Sequence, residues 1–232
     1  MPQSLNRRIE SLNRGIVSCQ LCPRLRAHCA DVARVKRRAY LDWDYWGKPV
    51  PGFGDPQARV LVIGLAPGAH GSNRTGRMFT GDRSGDFLYR ALCENGFASQ
   101  ADSRSREDGL TLTDVYITAA VRCAPPDNKP SLDEFASCRP FLERELDLLK
   151  NVRVVVALGG LAFRTYLSIL RDRGAIASLS KFEFGHHRVY QTVPTLIGSY
   201  HPSQQNTSTG KLTADMLREV FEDARRRMQC SV

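Results

Sequence analysis

What this 232-residue sequence most plainly lacks is a long apolar run. Its longest uncharged, mostly apolar stretch, Val154 to Phe163, is well short of the ~20 residues that a bilayer-spanning helix needs. The opening MPQSLNRRIESLNRG has no apolar core of the kind a signal peptide carries. Together these absences predict a cytoplasmic protein with no membrane partner. Acidic residues are in deficit, 24 against 33 Lys and Arg, and the formal charge of +9 suits a polyanionic partner. There is no internal repeat, no low-complexity tract and no carboxylate set that would hold a catalytic metal. An even cysteine count is missing as well. Seven cysteines in a cytoplasmic chain argue against a disulfide framework.

What is present is a globular composition, 42% hydrophobic. Four short apolar runs read as buried parallel strands: Val60 to Leu65, Val115 to Val121, Val152 to Leu158 and Thr195 to Tyr200. Helical patterns alternate with them. Ser131-Leu132-Asp133-Glu134 reads as a capping box, followed by Phe135, Cys138, Leu142, Leu146 and Leu149 on one face. Gly160 to Arg173 carries a second pattern, and Met216, Leu217, Val220, Phe221, Ala224 and Met228 form the stripe of a final helix. Strands alternating with helices predict an α/β layered domain with helices on both faces. Arg225, Arg226 and Arg227 belong to the outer face and last turn of that final helix; the cluster Arg34, Lys36, Arg37 and Arg38 suits solvent or a polyanion equally.

In such sheets ligands bind beyond the carboxyl ends of the strands. Those ends carry VIGLAPGAHGSNRTGRMFTGDRSG, RCAPPDNKP, GGLAF and SYHPSQQNTSTGKLT. The third leads straight into its helix and is the least informative. The first is rich in glycine, which costs conformational entropy and implies that main chain approaches something closely. STGK is not a Walker motif, because Gln205 stands where its first glycine is required and Leu212 where Ser or Thr is required.

Cys19 and Cys22, in CQLC, place two thiols on one turn, and Cys123 and Cys138 could add two more. Such a set fits zinc or an iron–sulfur cluster, and equally four small buried side chains. Cys29, Cys93 and Cys230 have no partner at ligand spacing and read as structural.

YWGKPVPGFGDPQARVLVIGLAPGAHGSNRTGRMFTGDRSG, AAVRCAPPDNKP and HPSQQNTSTGKL, in that order, resemble the uracil-DNA glycosylase superfamily, most closely its family 5. The resemblance covers the chain from Cys19 to the final helix. It implies a three-layer α/β/α sandwich around a four-stranded parallel sheet, one domain over residues 1–232. It also implies a structural [4Fe–4S] cluster on Cys19, Cys22, Cys123 and Cys138, tying the N-terminal segment to the loop and helix of 123–138. The implied activity is excision of uracil, and in relatives of hypoxanthine and xanthine, from double-stranded DNA. The protein is expected to act as a monomer at the nucleoid.

Residue by residue, the resemblance makes His201 the donor to uracil O2, a contribution of roughly 3–4 kcal/mol for a preset donor of this kind. Phe79 matches the aromatic that stacks on the flipped base, worth ~1–3 kcal/mol. Gly64, Leu65, Ala66 and Gly68 would offer backbone to the base and a nearby phosphate. Better-known relatives carry a carboxylate where Leu65 and Ala66 stand, and family 5 shares the loss. Its matching candidates are Asp82 of FTGD and Asn128 of PPDNKP, which could instead be a turn residue and a loop cap. Ser84 is expected to cap the following helix. Ser203, Gln204, Gln205, Asn206 and Lys211 would contact DNA, with Gln205 where a leucine wedge occurs in relatives. A rival reading is a non-catalytic iron–sulfur protein that binds nucleic acid; another is a phosphate-processing hydrolase.

Overall fold

Along one strand Val60 and Val62 face one way and Leu61 and Ile63 the other, and this alternation organises the chain into layers. The computed structural model describes residues 4–229. Its strands are β1 (Phe53–Gly54), β2 (Val60–Gly64), β3 (Val115–Ala119), β4 (Val154–Leu158), β5 (Arg188–Tyr190) and β6 (Thr195–Ser199). Its helices are α1 (Leu5–Val17), α2 (Pro23–Val35), α3 (Ser72–Thr75), α4 (Arg83–Glu94), α5 (Leu132–Leu148), α6 (Gly160–Asp172), α7 (Gln204–Ser208) and α8 (Ala214–Gln229).

The sheet runs β1-β3-β2-β4-β6-β5. The inner four strands are those expected and are parallel, with Val60 opposite both Val115 and Val154, and Val154 opposite Thr195. They are one or two residues shorter than the apolar runs, because those runs continue into the turns that leave or enter the sheet. Two antiparallel edge strands, β1 and β5, extend the expected four to six. They are two and three residues long and half-exposed, too short for a periodic signal.

Val60 and Val62 pack with Leu88 and Leu92 of α4 and Leu217, Val220 and Phe221 of α8. Leu61 and Ile63 pack with Ile9 of α1, Leu142 of α5, and Phe163 and Tyr166 of α6. These are the two outer layers of an α/β/α sandwich. α5 starts with the expected capping box, the Ser131 hydroxyl accepting from Glu134 N and the Glu134 carboxylate from Ser131 N. Of the basic trio near the end of α8, Arg226 and Arg227 lie in its last turn and pair with Asp223. Cys230 lies outside the described residues. Among the described residues no helix is long and apolar enough to cross a membrane.

Candidate active site

The chain leaves β2 toward β3 on one side, while β4 and β6 lie on the other, so the strand order reverses beside β2. The crevice at such a reversal is where α/β sheets bind ligands. Phe79, in the long loop after β2, turns its ring back over the end of that strand. A Cβ on Gly64 would lie 2.8 Å from this ring, so Gly64 is bare because Phe79 lies against it. Phe79 holds this pose with φ +52°, a left-handed conformation that few bulky residues adopt. The ring of His201, just past β6, lies 5.7 Å from that of Phe79 at an interplanar angle of 31°. Two flat faces thus meet above the ends of β2 and β6.

His201 is held from below and behind. The Asn206 side-chain amide donates to the His201 carbonyl at 2.8 Å, and Gly159 at the end of β4 lies under its Cβ. GGLAF, the least informative strand end in the sequence, therefore contributes the floor of the site. Burial lowers the His201 imidazole to about 4, and no other group opposes or assists that shift. Its ring is neutral at physiological pH, able to donate one hydrogen bond without bringing a charge.

Asp82, three residues after Phe79, is the N-cap of α4, its Oδ1 accepting from Gly85 N at 3.1 Å. This corrects the expectation that Ser84 caps this helix: Ser84 lies inside the first turn. The other carboxylate oxygen explains the glycines of GAHG. A Cβ on Gly71 would fall 1.9 Å from Asp82 Oδ2, and one on Gly68 2.8 Å from it. The bare backbone here makes room first for Phe79 and Asp82. Burial pushes the Asp82 carboxyl up, against hydrogen bonds from Gly85 and Ser84; Asp86 adds to the rise and Arg74 counters it.

The remaining expected residues are more dispersed. Leu65 and Ala66 follow β2, and Ala66 packs against the cysteines rather than the rings. Asn128 is exposed, with φ +56°, in a short turn over Pro126–Asn128, and its side chain makes no hydrogen bond to Asp82 or His201. Ser203 caps α7, so HPSQQN becomes a small helix presenting Gln204 and Gln205 to solvent. Lys211 Nζ sits 4.8 Å over the Tyr200 ring. A cleft of about 300 Å³ between α4 and α7, lined by Arg83, Asp86, Arg90, Thr207 and Ser208 among others, opens beside this helix and is lined by neither Phe79 nor His201.

Cys22, Cys123 and Cys138 gather in one apolar cluster with Leu25, Val121 and Ala124. Burial pushes the Cys22 thiol up, Ser137 opposes this by a hydrogen bond, and Cys123 and Cys19 add to the rise. Burial takes Cys138 to about 12. Thiols crowded into apolar surroundings resist ionisation until a cation shares them, so the chemistry of the donor set fits a soft metal centre. Their spacing is looser than that: among the described residues no three His, Cys, Asp or Glu stand where they could hold a metal ion. Cys29 is buried in the same cluster, as a structural thiol would be: its Sγ donates to Ala124 O at 3.6 Å, and its hydrogen bond with Cys123 pushes the Cys123 thiol up.

A doubly wound α/β fold with two flat rings set over its switch point defines the class to which this molecule is assigned. The chain belongs to the uracil DNA glycosylase superfamily, whose family model matches residues 51–225. Its similarity to a type-5 uracil-DNA glycosylase of Mycobacterium leprae is 50% identity over 221 residues, 94% of this chain and 95% of that relative. A type-5 uracil-DNA glycosylase of Thermus thermophilus is 49% identical over 217 residues, 94% of this chain and 97% of the relative. A type-4 uracil-DNA glycosylase of Thermotoga maritima is 34% identical over 155 residues, 66% of this chain and 69% of the relative. The near full-length matches set the chain in the type-5 branch.

Proposed function

We propose that this chain removes uracil from double-stranded DNA as a monofunctional glycosylase, leaving an abasic site. The observation that carries the reading is the ring pair at the strand ends, Phe79 and His201 at 5.7 Å, with Asp82 in its glycine cradle three residues on. A flipped uracil stacks on Phe79. Neutral His201 donates its ring N–H to uracil O2, where negative charge collects as the C1′–N1 bond breaks. Water adds to C1′ and loses a proton, which the departing uracil anion takes up through solvent, so that neutral base and abasic sugar are released as separate products. Asp82 orients that water and faces the positive charge growing on the sugar. Asn128 assists from its loop on closing over DNA. Gly64, Leu65, Ala66 and Gly68 line the base side. Ser203, Gln204, Gln205, Asn206 and Lys211 meet the backbone and the gap left by the flipped nucleotide, with a polar wedge at Gln205.

With Ala66 directed to the cysteines and nothing bulkier than Leu65 beside it, the turn after β2 carries no large restricting side chain, which supports hypoxanthine and xanthine as further substrates. Cys19, Cys22, Cys123 and Cys138 would hold a [4Fe–4S] cluster, which when bound supplies a rigid tie and no base chemistry. The packing of Ala66 and Ala69 on the cysteine cluster supports this tie, since it joins the loop after β2 to α2 and α5. Residues 1–232 then work as one domain, a monomer at the nucleoid. The reading is tested by incubating a duplex carrying one deoxyuridine with the protein and then treating it with alkali. Cleavage at that site is expected, and an intact strand rejects the reading. The purified protein should be brown, with visible absorption; a colourless protein containing zinc assigns the thiols to zinc.

A further inference from the structure

Two arginines run beneath the FTGD turn, and both are only 3% exposed. Arg77 is neutralised: its guanidinium forks onto Asp108 at 2.8 and 2.7 Å, and it also reaches Thr80 and Ser103. Arg74 forms no ion pair among the described residues. Its Nε donates to the His70 carbonyl at 2.8 Å and its Nη2 to the Gly81 carbonyl at 2.6 Å, while Nη1 is buried with no partner. The cation sits in the corner formed by the rings of Tyr40 and Trp43, 3.9 and 4.0 Å from their centroids, with the two rings at 81° to each other. Aromatic faces offset part of the cost of burying such a charge but do not cancel the charge.

The two carbonyls it grips are informative. His70 lies between Gly68 and Gly71, the two residues that make room for Asp82 Oδ2, and Gly81 immediately precedes Asp82. One planar guanidinium therefore ties together both backbone segments that enclose this carboxyl. Gly81 is itself bare where a Cβ would come 2.6 Å from Arg74 Nη2, so the grip and the turn are built for each other. We propose that Arg74 is the positioning residue for Asp82, acting through that carboxylate and not through contact with DNA. The inference rests on the reading of Asp82 as part of the glycosylase centre. Arg74 also acts electrostatically, holding the Asp82 proton affinity down against burial and Asp86.

A double-mutant cycle tests it, using Arg74→Met, Asp82→Asn and the pair. Asparagine keeps an oxygen for the α4 cap while removing the charge. The readouts are the single-turnover excision rate at saturating enzyme and, separately, the Kd for a uracil-containing duplex. Arg74→Met should slow excision about ten- to a hundredfold, as misplacement of a reacting group does, with Kd nearly unchanged. On the Asp82→Asn background it should add less than about twofold. Arg74→Lys, which keeps the charge but cannot fork, should fall between. Losses that multiply in the double variant overturn the inference, as does a normal rate for Arg74→Met beside a slow Asp82→Asn. A normal rate for Asp82→Asn removes Asp82 itself from the mechanism, whatever Arg74 does. Should Arg74→Met not fold by circular dichroism, Arg74→Lys carried through the same cycle decides.

Discussion

Gly64 and Phe79 are a matched pair, and substituting either exposes the other. Gly64→Ala puts a methyl 2.8 Å from the Phe79 ring, which must tilt away from the base position. Excision should fall about tenfold or more while the protein stays folded, as a small misplacement near the chemistry does; single-turnover kinetics beside a thermal melt would show both. His201 sets the pH behaviour. Its ordinary value is 6.5 and burial takes it to about 4, so the native state excludes a proton that the unfolded chain binds. The stability this residue contributes is complete above about pH 6.5 and is lost as pH falls toward 4. His201→Asn should flatten that part of the denaturation-midpoint-against-pH curve, and should cost roughly a hundredfold or more in excision at neutral pH. At this scale the sequence announced Phe79, Asp82 and His201 through motif and strand-end position. It did not announce Arg74 or Gly159, whose roles arise only when distant segments fold together.

α5 is fastened to the sheet by an ion pair that is almost fully dry. Arg122 Nη2 and Thr118 Oγ1 both donate to Glu145 Oε2 at 2.6 Å, and the two charged side chains are 1% and 2% exposed. Glu145→Ala strands a buried guanidinium and should cost about 3–5 kcal/mol in urea denaturation. Replacing both partners with methionine should recover much of that loss, because the pair's attraction mainly offsets its own desolvation. The same helix carries Cys138, and its Glu134 clasps Arg24 of α2 at 2.7 Å, so α5 links the cysteine segments to the core. The helix was legible from its capping box and spacing, since both signals are local. The partners of Glu145 and Glu134 were not, because they come from residues 23 and 110 positions away. The edge strands were illegible for a simpler reason: two or three residues cannot show a period.

Across the whole molecule the excess of nine positive charges predicts binding that weakens steeply with salt. Lys211→Ala should weaken the affinity for duplexes of any sequence and reduce the slope of log K against log salt by about one, the signature of one lost phosphate contact. A titration from low to moderate salt by fluorescence anisotropy would measure it. An unchanged slope would mean that Lys211 serves only to cover Tyr200. The charge was plain in the sequence, as was the layered architecture that its alternating strands and helices required. The six-strand width was not. That width matters beyond the site, because β1 and β5 run against their neighbours and stop after two or three residues. A sheet finished so abruptly on both flanks exposes almost no unpaired ladder for another copy to zip onto. The flanks of the sheet therefore offer a second copy little backbone with which to extend it.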